Sequence, residues 1–221
     1  MKLITMGSEV WWLVRPDDIR PVRGLSIHDV FKKIQETFTF AEFPTALPQK
    51  DTGFVFKEGI LRRPEYNIVV KVLDVYNDGT HLGVDSSTDD ADIVLQELRQ
   101  IMIALGAKPV EQALLHYHVS TIVCEFENDI GGIISEYSDL SELISSQLDI
   151  VAKVGLSGLH FFADPTTLPP RIAKINPTHF GLEQRQDATF AEKRYFSIAN
   201  MTTNNHIRVL SALDRQWDRR K

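Results

Sequence analysis

The sequence predicts an α+β fold: an antiparallel or mixed β-sheet built from hairpins, with about four helices packed on it. Asp78-Gly79 lies between the β-prone runs NIVVKVLDVYN and THLGVDSS, a strong short-range hairpin signal because both residues tolerate positive φ. The segment from Asp89 to Leu105 keeps its apolar residues at three-four spacing, which is the period of an amphipathic helix. Elsewhere the strand-like runs cluster and pair through short turns instead of alternating with helices, which argues against a doubly wound parallel sheet.

Taken in order, MKLITMGSEVWWLVRP reads as a strand that sends Trp11 and Trp12 to opposite faces. In a one-sided sheet one of the two indoles then needs cover, from a helix of the same chain or from a partner subunit. Trp11 and Trp12 are therefore candidate partner-binding residues. The first helix follows in GLSIHDVFKKIQETF, where Ser26 and Asp29 resemble a capping box and Ile27, Val30, Phe31, Ile34 and Phe38 form the apolar stripe. GFVFKEGILRR reads as a short hairpin turning at Glu58-Gly59, ahead of the hairpin at Asp78-Gly79.

The second helix carries Ala91, Val94, Leu95, Leu98, Ile101, Met102 and Leu105 on one face. Asp89, Asp90 and Asp92 fill its first turn, and Gly106 and then Pro109 stop it. A long strand runs through His116. A third helix is expected from Ile130 to Leu148, with Ile133, Ile134, Tyr137, Leu140 and Ile144 inward and a start weakened by Gly131 and Gly132. Strands are expected at 153–162, 171–175, 179–186 and 194–199. A fourth helix, from Asn204 to Arg219, has His206, Leu210, Leu213 and Trp217 on its stripe and a basic end.

An internal echo joins two of these helices. TDDADIVLQEL from Thr88 resembles TNNHIRVLSAL from Thr203, an offset of 203 − 88 = 115, with Thr at the cap and Val-Leu-x-x-Leu on the buried face. Either two strand-to-helix joints share capping chemistry, or the chain is a duplicated half with pseudo-twofold halves. The domain expectation is one α+β domain over residues 1–221, with 1–109 and 110–221 as sub-halves.

Composition narrows the classes of function. With 221 residues, 43% hydrophobic and 24% charged, the chain is long enough for a sizeable core. The lone Cys124 cannot form an internal disulfide and gives no support for secretion. No run approaches the ~20 apolar residues of a membrane span, and no signal-peptide pattern follows the N-terminus, so cytoplasmic residence is the expectation. A net charge of −6 argues against broad phosphate-backbone binding, although Arg15, Arg20, Arg23 and the terminal Arg219-Arg220-Lys221 keep nucleic acid as a second alternative.

One motif bears on chemistry. In LLHYHVST, strand alternation puts His116 and His118 on the same face, the geometry by which His-x-His supplies two ligands to zinc or iron. Seven histidines in a chain this long produce such a pair by chance in roughly one case out of five, so packing competes with ligation. Asp129, His160 and Asp164 are candidates for a third ligand, with nothing in spacing to select one. His118-Val119-Ser120 also fits half of a two-histidine phosphoesterase pattern, but no second His-x-Ser/Thr exists. Phosphate-loop, dinucleotide-fold, nucleophile-elbow and H-E-x-x-H motifs are absent.

ADPTTLPPRIAKINPTH, from Ala163, holds four prolines and reads as a stiff exposed loop. Pro165, Pro169, Pro170 and Arg171 are the partner-binding candidates there. The resulting expectation is a protein-binding or assembly module without catalytic activity, a homo-oligomer or a subunit of a complex, needing no cofactor. The alternative is a metal-dependent hydrolase using His116 and His118 with a divalent metal.

Overall fold

Side-chain alternation along the strands organises the structure, a computed structural model that describes residues 1–15, 27–45, 53–76, 78–128, 143–144, 146–147, 158–162, 164, 166 and 180–218. The architecture is α+β: an eight-stranded antiparallel sheet with three helices packed on it. The strands are β1 (Lys2–Leu13), β2 (Phe54–Arg62), β3 (Asn67–Tyr76), β4 (Gly79–Val84), β5 (Leu115–Glu125), β6 (Gly158–Phe161), β7 (Phe180–Gln184) and β8 (Arg194–Ala199). The helices are α1 (Ile27–Phe38), α2 (Thr88–Ala104) and α3 (Thr203–Asp218). No helix among the described residues is long and apolar enough to cross a membrane.

Two units make up the chain. The first comprises Met6–Ser120 and Met201–Thr203, and the second Met1–Thr5, Thr121–Asn200 and Asn204–Lys221. In the first, the strand order is β2-β3-β4-β1-β5. Its core gathers Val10, Trp12 and Val14 from and just beyond β1, Leu73 from β3 and Leu82 and Val84 from β4. Against them lie Val30, Ile34 and Phe38 of α1 and Ala91, Val94, Leu95, Leu98 and Ile101 of α2. Both expected helical stripes are thus the faces that are buried, each core aliphatic contributing roughly 1.5–3 kcal/mol by leaving water. Ser26 and the Ile27 side chain lie outside the described residues.

Helix α2 begins at an N-cap Ser87, whose hydroxyl accepts from Asp90 N, and ends in a Schellman pair. There Gly106 N donates to Ile103 O and Ala107 N to Met102 O, each at 2.9 Å, with Gly106 at φ +96°. Gly106 thus stops the helix as its sequence position suggests.

Two turn expectations are corrected. Glu58-Gly59 is not a turn, because Phe54–Arg62 is one strand. Glu58 takes φ +54° between the pairs Lys57↔Val72 and Gly59↔Val70, and the register runs through it unshifted. Gly59 lies beneath Phe40: a Cβ there would lie 2.5 Å from the ring. The real β2–β3 turn closes where Arg63 N donates to Tyr66 O at 3.0 Å. The β3–β4 hairpin does form, but its last pair is Tyr76↔Gly79, so the loop residues are 77 and 78 and Gly79 already belongs to β4.

In the second unit the order is β5-β8-β7-β6, with β7 pairing β8 from Phe180↔Ala199 to Gln184↔Tyr195 and β6 pairing β7 from Gly158↔Glu183 to Phe161↔Phe180. The expected strands at 153–162, 179–186 and 194–199 correspond to β6, β7 and β8. That at 171–175 lies outside the described residues, as does most of the expected third helix. Ile144, expected inward, is 41% exposed. The described helices therefore number three.

The strand order repeats in part: β1, α1, β2 to β4 and α2 are followed by β5, β6 to β8 and α3, with no named counterpart of α1 between β5 and β6. Outward from β1 the neighbours are β4, β3, β2; outward from β5 they are β8, β7, β6. Strand β8 starts 194 − 79 = 115 residues after β4, the same offset as Thr203 from Thr88. The other strand starts differ by 115 − 2 = 113 for β5 and β1, 180 − 67 = 113 for β7 and β3, and 158 − 54 = 104 for β6 and β2. The two threonines of the echo bond each other: Thr88 N donates to Thr203 Oγ1 at 3.0 Å and Thr203 N to Thr88 Oγ1 at 2.9 Å, both buried.

Gly79 provides the test of the hairpin. It sits at φ +154°, and a Cβ there would lie 2.2 Å from Trp12 O. Gly79→Ala is expected to cost about 2 kcal/mol or more in urea denaturation. A loss below about 0.5 kcal/mol would mean that β1 and β4 do not approach this closely.

Candidate metal centre

Helical phase and strand alternation together assemble the site. The buried stripe of α2 fixes its rotation, leaving Asp92, next to the buried Ala91, on the flank at 41% side-chain exposure. On β5, Ser120 and Ile122 are fully buried, and alternation puts His118 and His116 on that same side as the strand nears its start. His118 is 16% exposed and His116 40%.

The three meet. His116 Nε2 lies 3.0 Å from Asp92 Oδ1, and His118 Nε2 lies 3.1 Å from Oδ1 and 3.0 Å from Oδ2. The two imidazole centroids are 4.8 Å apart. One ligand atom from each residue falls within 4.8 Å of the others, the one such grouping of His, Cys, Asp or Glu side chains among the described residues. Burial opposes ionisation of Asp92, but the two histidine N–H donors and their charge outweigh it and hold the carboxyl far below its usual range. With its Nε2 aimed at a carboxylate, neither ring spends that nitrogen on backbone.

Asp92 was not among the third ligands considered from spacing. Asp129 lies outside the described residues, His160 pairs with Glu183 at 3.0 Å, and Asp164 accepts from Thr166. The missed signal was Asp92's place in the acidic first turn of α2, which reads equally well as helix-dipole complementation. Ser120 Oγ contacts Thr203 Oγ1 at 3.4 Å, so the His-x-Ser pattern does not couple hydroxyl to imidazole. Cys124 is fully buried, and burial pushes its thiol up to about 12, which suits an inert residue.

Other candidates resolve individually. Trp12 is 8% exposed in the core, with the Arg99 guanidinium 5.5 Å from its ring centroid. Trp11 stacks on His81 at 4.3 Å and 26°. Pro165, Pro169, Pro170 and Arg171 lie outside the described residues, as do Arg20, Arg23 and Arg219-Arg220-Lys221. In the second unit His206, also fully buried, bonds Ser197 Oγ at 2.8 Å. Ser197 donates its own proton to Gly181 O, so the imidazole is the donor and this pair is no nucleophile dyad.

A second charged group, unforeseen in the sequence, surrounds His81. Cross-strand register brings Trp11 opposite His81 on β1–β4 and Asp74 opposite His81 on β3–β4. Asp74 Oδ2 is 2.8 Å from Nδ1 and Glu9 Oε2 3.3 Å from Nε2. Burial lowers the imidazole's proton affinity, but the two carboxylates more than reverse this and raise its pKa above 6.5. Glu9 is lowered below 4.5, chiefly by its bond to His81, with Lys71 assisting. A raised histidine stabilises fully below 6.5 and loses that contribution as pH climbs through its folded value; a lowered glutamate contributes above 4.5 and loses it on acidification. Wild type should therefore exceed Glu9→Gln in Tm most clearly between about pH 4.5 and 6.5, the gap narrowing on either side. A gap independent of pH in a thermal-melt series would remove the ion pair from the account.

No protein-family model matches the chain, and no curated protein matches it.

Proposed function

We propose that this chain is a divalent-metal-binding protein of the hydrolytic type, its metal held by His116, His118 and Asp92. The observation that carries the reading is the convergence of two imidazole Nε2 atoms and one carboxylate within 4.8 Å. The 3.0 Å nitrogen-to-oxygen separations are hydrogen-bond distances a few tenths of an ångström below the edge of about 3.3–3.6 Å between ligands bound about 2.0–2.2 Å from one tetrahedral centre, so a small spreading of the side chains would admit an ion. Two nitrogens and one oxygen form a borderline donor set suited to zinc or iron rather than calcium.

Three protein ligands leave coordination positions open, the pattern of a catalytic rather than a structural site. A metal bound there would lower the pKa of a coordinated water and so supply a nucleophile for hydrolysis. This chain's residues have a definite part in loading it. Each Nε2 now faces Asp92 as a donor, so binding requires both nitrogens to give up their protons, either to solvent or to Nδ1 of the same ring.

The test is calorimetric titration of chelator-treated protein with Zn²⁺, and with Co²⁺ followed by absorption. One equivalent is expected, with at least about tenfold weaker binding in His116→Ala, His118→Ala and Asp92→Asn. Binding that survives the double histidine variant, or none in wild type, would defeat the proposal.

The assembly reading keeps one observation in its favour. Phe161 and Phe162, at and just beyond the end of β6, are 56% and 75% exposed, which is unusual for adjacent aromatics. If a second copy or another protein covers them, Phe161→Ser, Phe162→Ser should shift native mass spectra toward monomer. A wild type that is already monomeric at working concentration would end the self-association reading.

A further inference from the structure

The candidate metal centre takes its ligands from two elements, α2 and β5, so its geometry depends on what holds those elements to each other. Thr88 lies one turn before Asp92 on α2, about 6 Å away along the axis, and the four-residue spacing puts the two on one side of the helix. Ser120 lies two residues beyond His118 on β5, about 7 Å along the strand and on the same face.

Both residues meet Thr203. Its Oγ1 accepts from Thr88 N at 3.0 Å and contacts Ser120 Oγ at 3.4 Å, while its backbone N donates to Thr88 Oγ1 at 2.9 Å. All three residues are buried, at 1%, 0% and 3% exposure for Thr88, Ser120 and Thr203. Thr88 N stands at the first position of α2, where the helix supplies no acceptor of its own, and the Thr203 hydroxyl fills that need. One buried oxygen therefore touches both ligand-bearing elements.

We propose that Thr203 is a positioning residue of the metal centre, clasping α2 to β5 so that the Asp92 carboxylate stays within reach of both imidazoles. The inference rests on the metal reading given above. A metal site works only when its donors are held to within about 0.5 Å, and a clasp one helical turn from Asp92 and one strand repeat from His118 limits how far the two elements can slide apart. The side chains can then spread to admit an ion while the backbones that carry them stay in register. The oxygen of Thr203, not its bulk, performs this.

The test compares Thr203→Val, which keeps the shape and the backbone N–H but removes the oxygen, with Thr203→Ser, which keeps the oxygen. Zn²⁺ affinity is measured by competition with a chromophoric chelator, and Co²⁺ coordination by visible absorption. Thr203→Val should bind Zn²⁺ about threefold to tenfold more weakly than wild type and change the Co²⁺ spectrum, with Thr203→Ser close to wild type in both. Ile34→Val, in the buried stripe of α1, is the control for stability alone and should lower Tm while leaving both metal readouts unchanged. The proposal is overturned by a Thr203→Val variant that binds as wild type does or loses no more affinity than Ile34→Val, or by a Thr203→Ser variant as weak as Thr203→Val. The side-chain ¹⁵N resonances of His116 and His118 in chelator-treated protein separate this from a failure of the metal reading. They should move in Thr203→Val even if wild type takes up no Zn²⁺, and their constancy would by itself overturn the clasp.

Discussion

The packing of α2 on the inward face of β1 and β4 is the constraint from which the geometry around Asp92 and Arg99 follows. Once Ala91, Val94, Leu95, Leu98 and Ile101 are committed to the core, the helix has one permitted rotation. That rotation places Asp92 on one flank, toward β5, and Arg99 over Trp12, where Trp12, Arg99 and Met102 line a small apolar cleft. No polar interaction has to be invoked to orient either set. The hydrophobic term sets the angle, and the polar groups inherit it.

The strands add the second half of the constraint. Because side chains alternate, burying Val10 and Trp12 obliges Glu9 and Trp11 to face the other way, where His81 and Asp74 meet them. One register thus yields two different environments. The inward face receives an apolar core and a cleft, and the outward face an imidazole held between two carboxylates against an indole. Shifting β1 by a single residue would exchange these sets and bury Glu9, which explains why Gly79 must let β4 approach Trp12 so closely.

Much of the fold was legible because its signals are local. The period of α2, its Schellman stop at Gly106 and the strand at 194–199 each depend on residues within one element or next to it. Glu58-Gly59 reads as a turn because a residue at positive φ beside a glycine is also what a turn needs, whereas here both stay within one strand. The glycine is needed by Phe40, far along the chain, which packs over it. The site was half legible for the same reason. His116 and His118 lie two apart on one strand, whereas Asp92 lies 24 and 26 positions away and reaches them only through the rotation of a packed helix. The His81 group left no trace in the sequence, since it is a product of two cross-strand registers.

The Thr88/Thr203 echo allows the two helices that carry it to be compared position by position. If β1-β2-β3-β4-α2 and β5-β6-β7-β8-α3 descend from one unit, positions 115 apart began as equivalent, and Thr88 with Thr203 still are. Asp92 then corresponds to Ile207 (92 + 115 = 207), and His81 to Phe196 (81 + 115 = 196). The charged groups have therefore been kept or acquired in one copy and are apolar in the other. Asp89 and Asp90 correspond in the same way to Asn204 and Asn205, so the whole acidic first turn differs between the two helices. What sets Asp92 apart from its acidic neighbours is its contact with His116 and His118, not the pattern of acids.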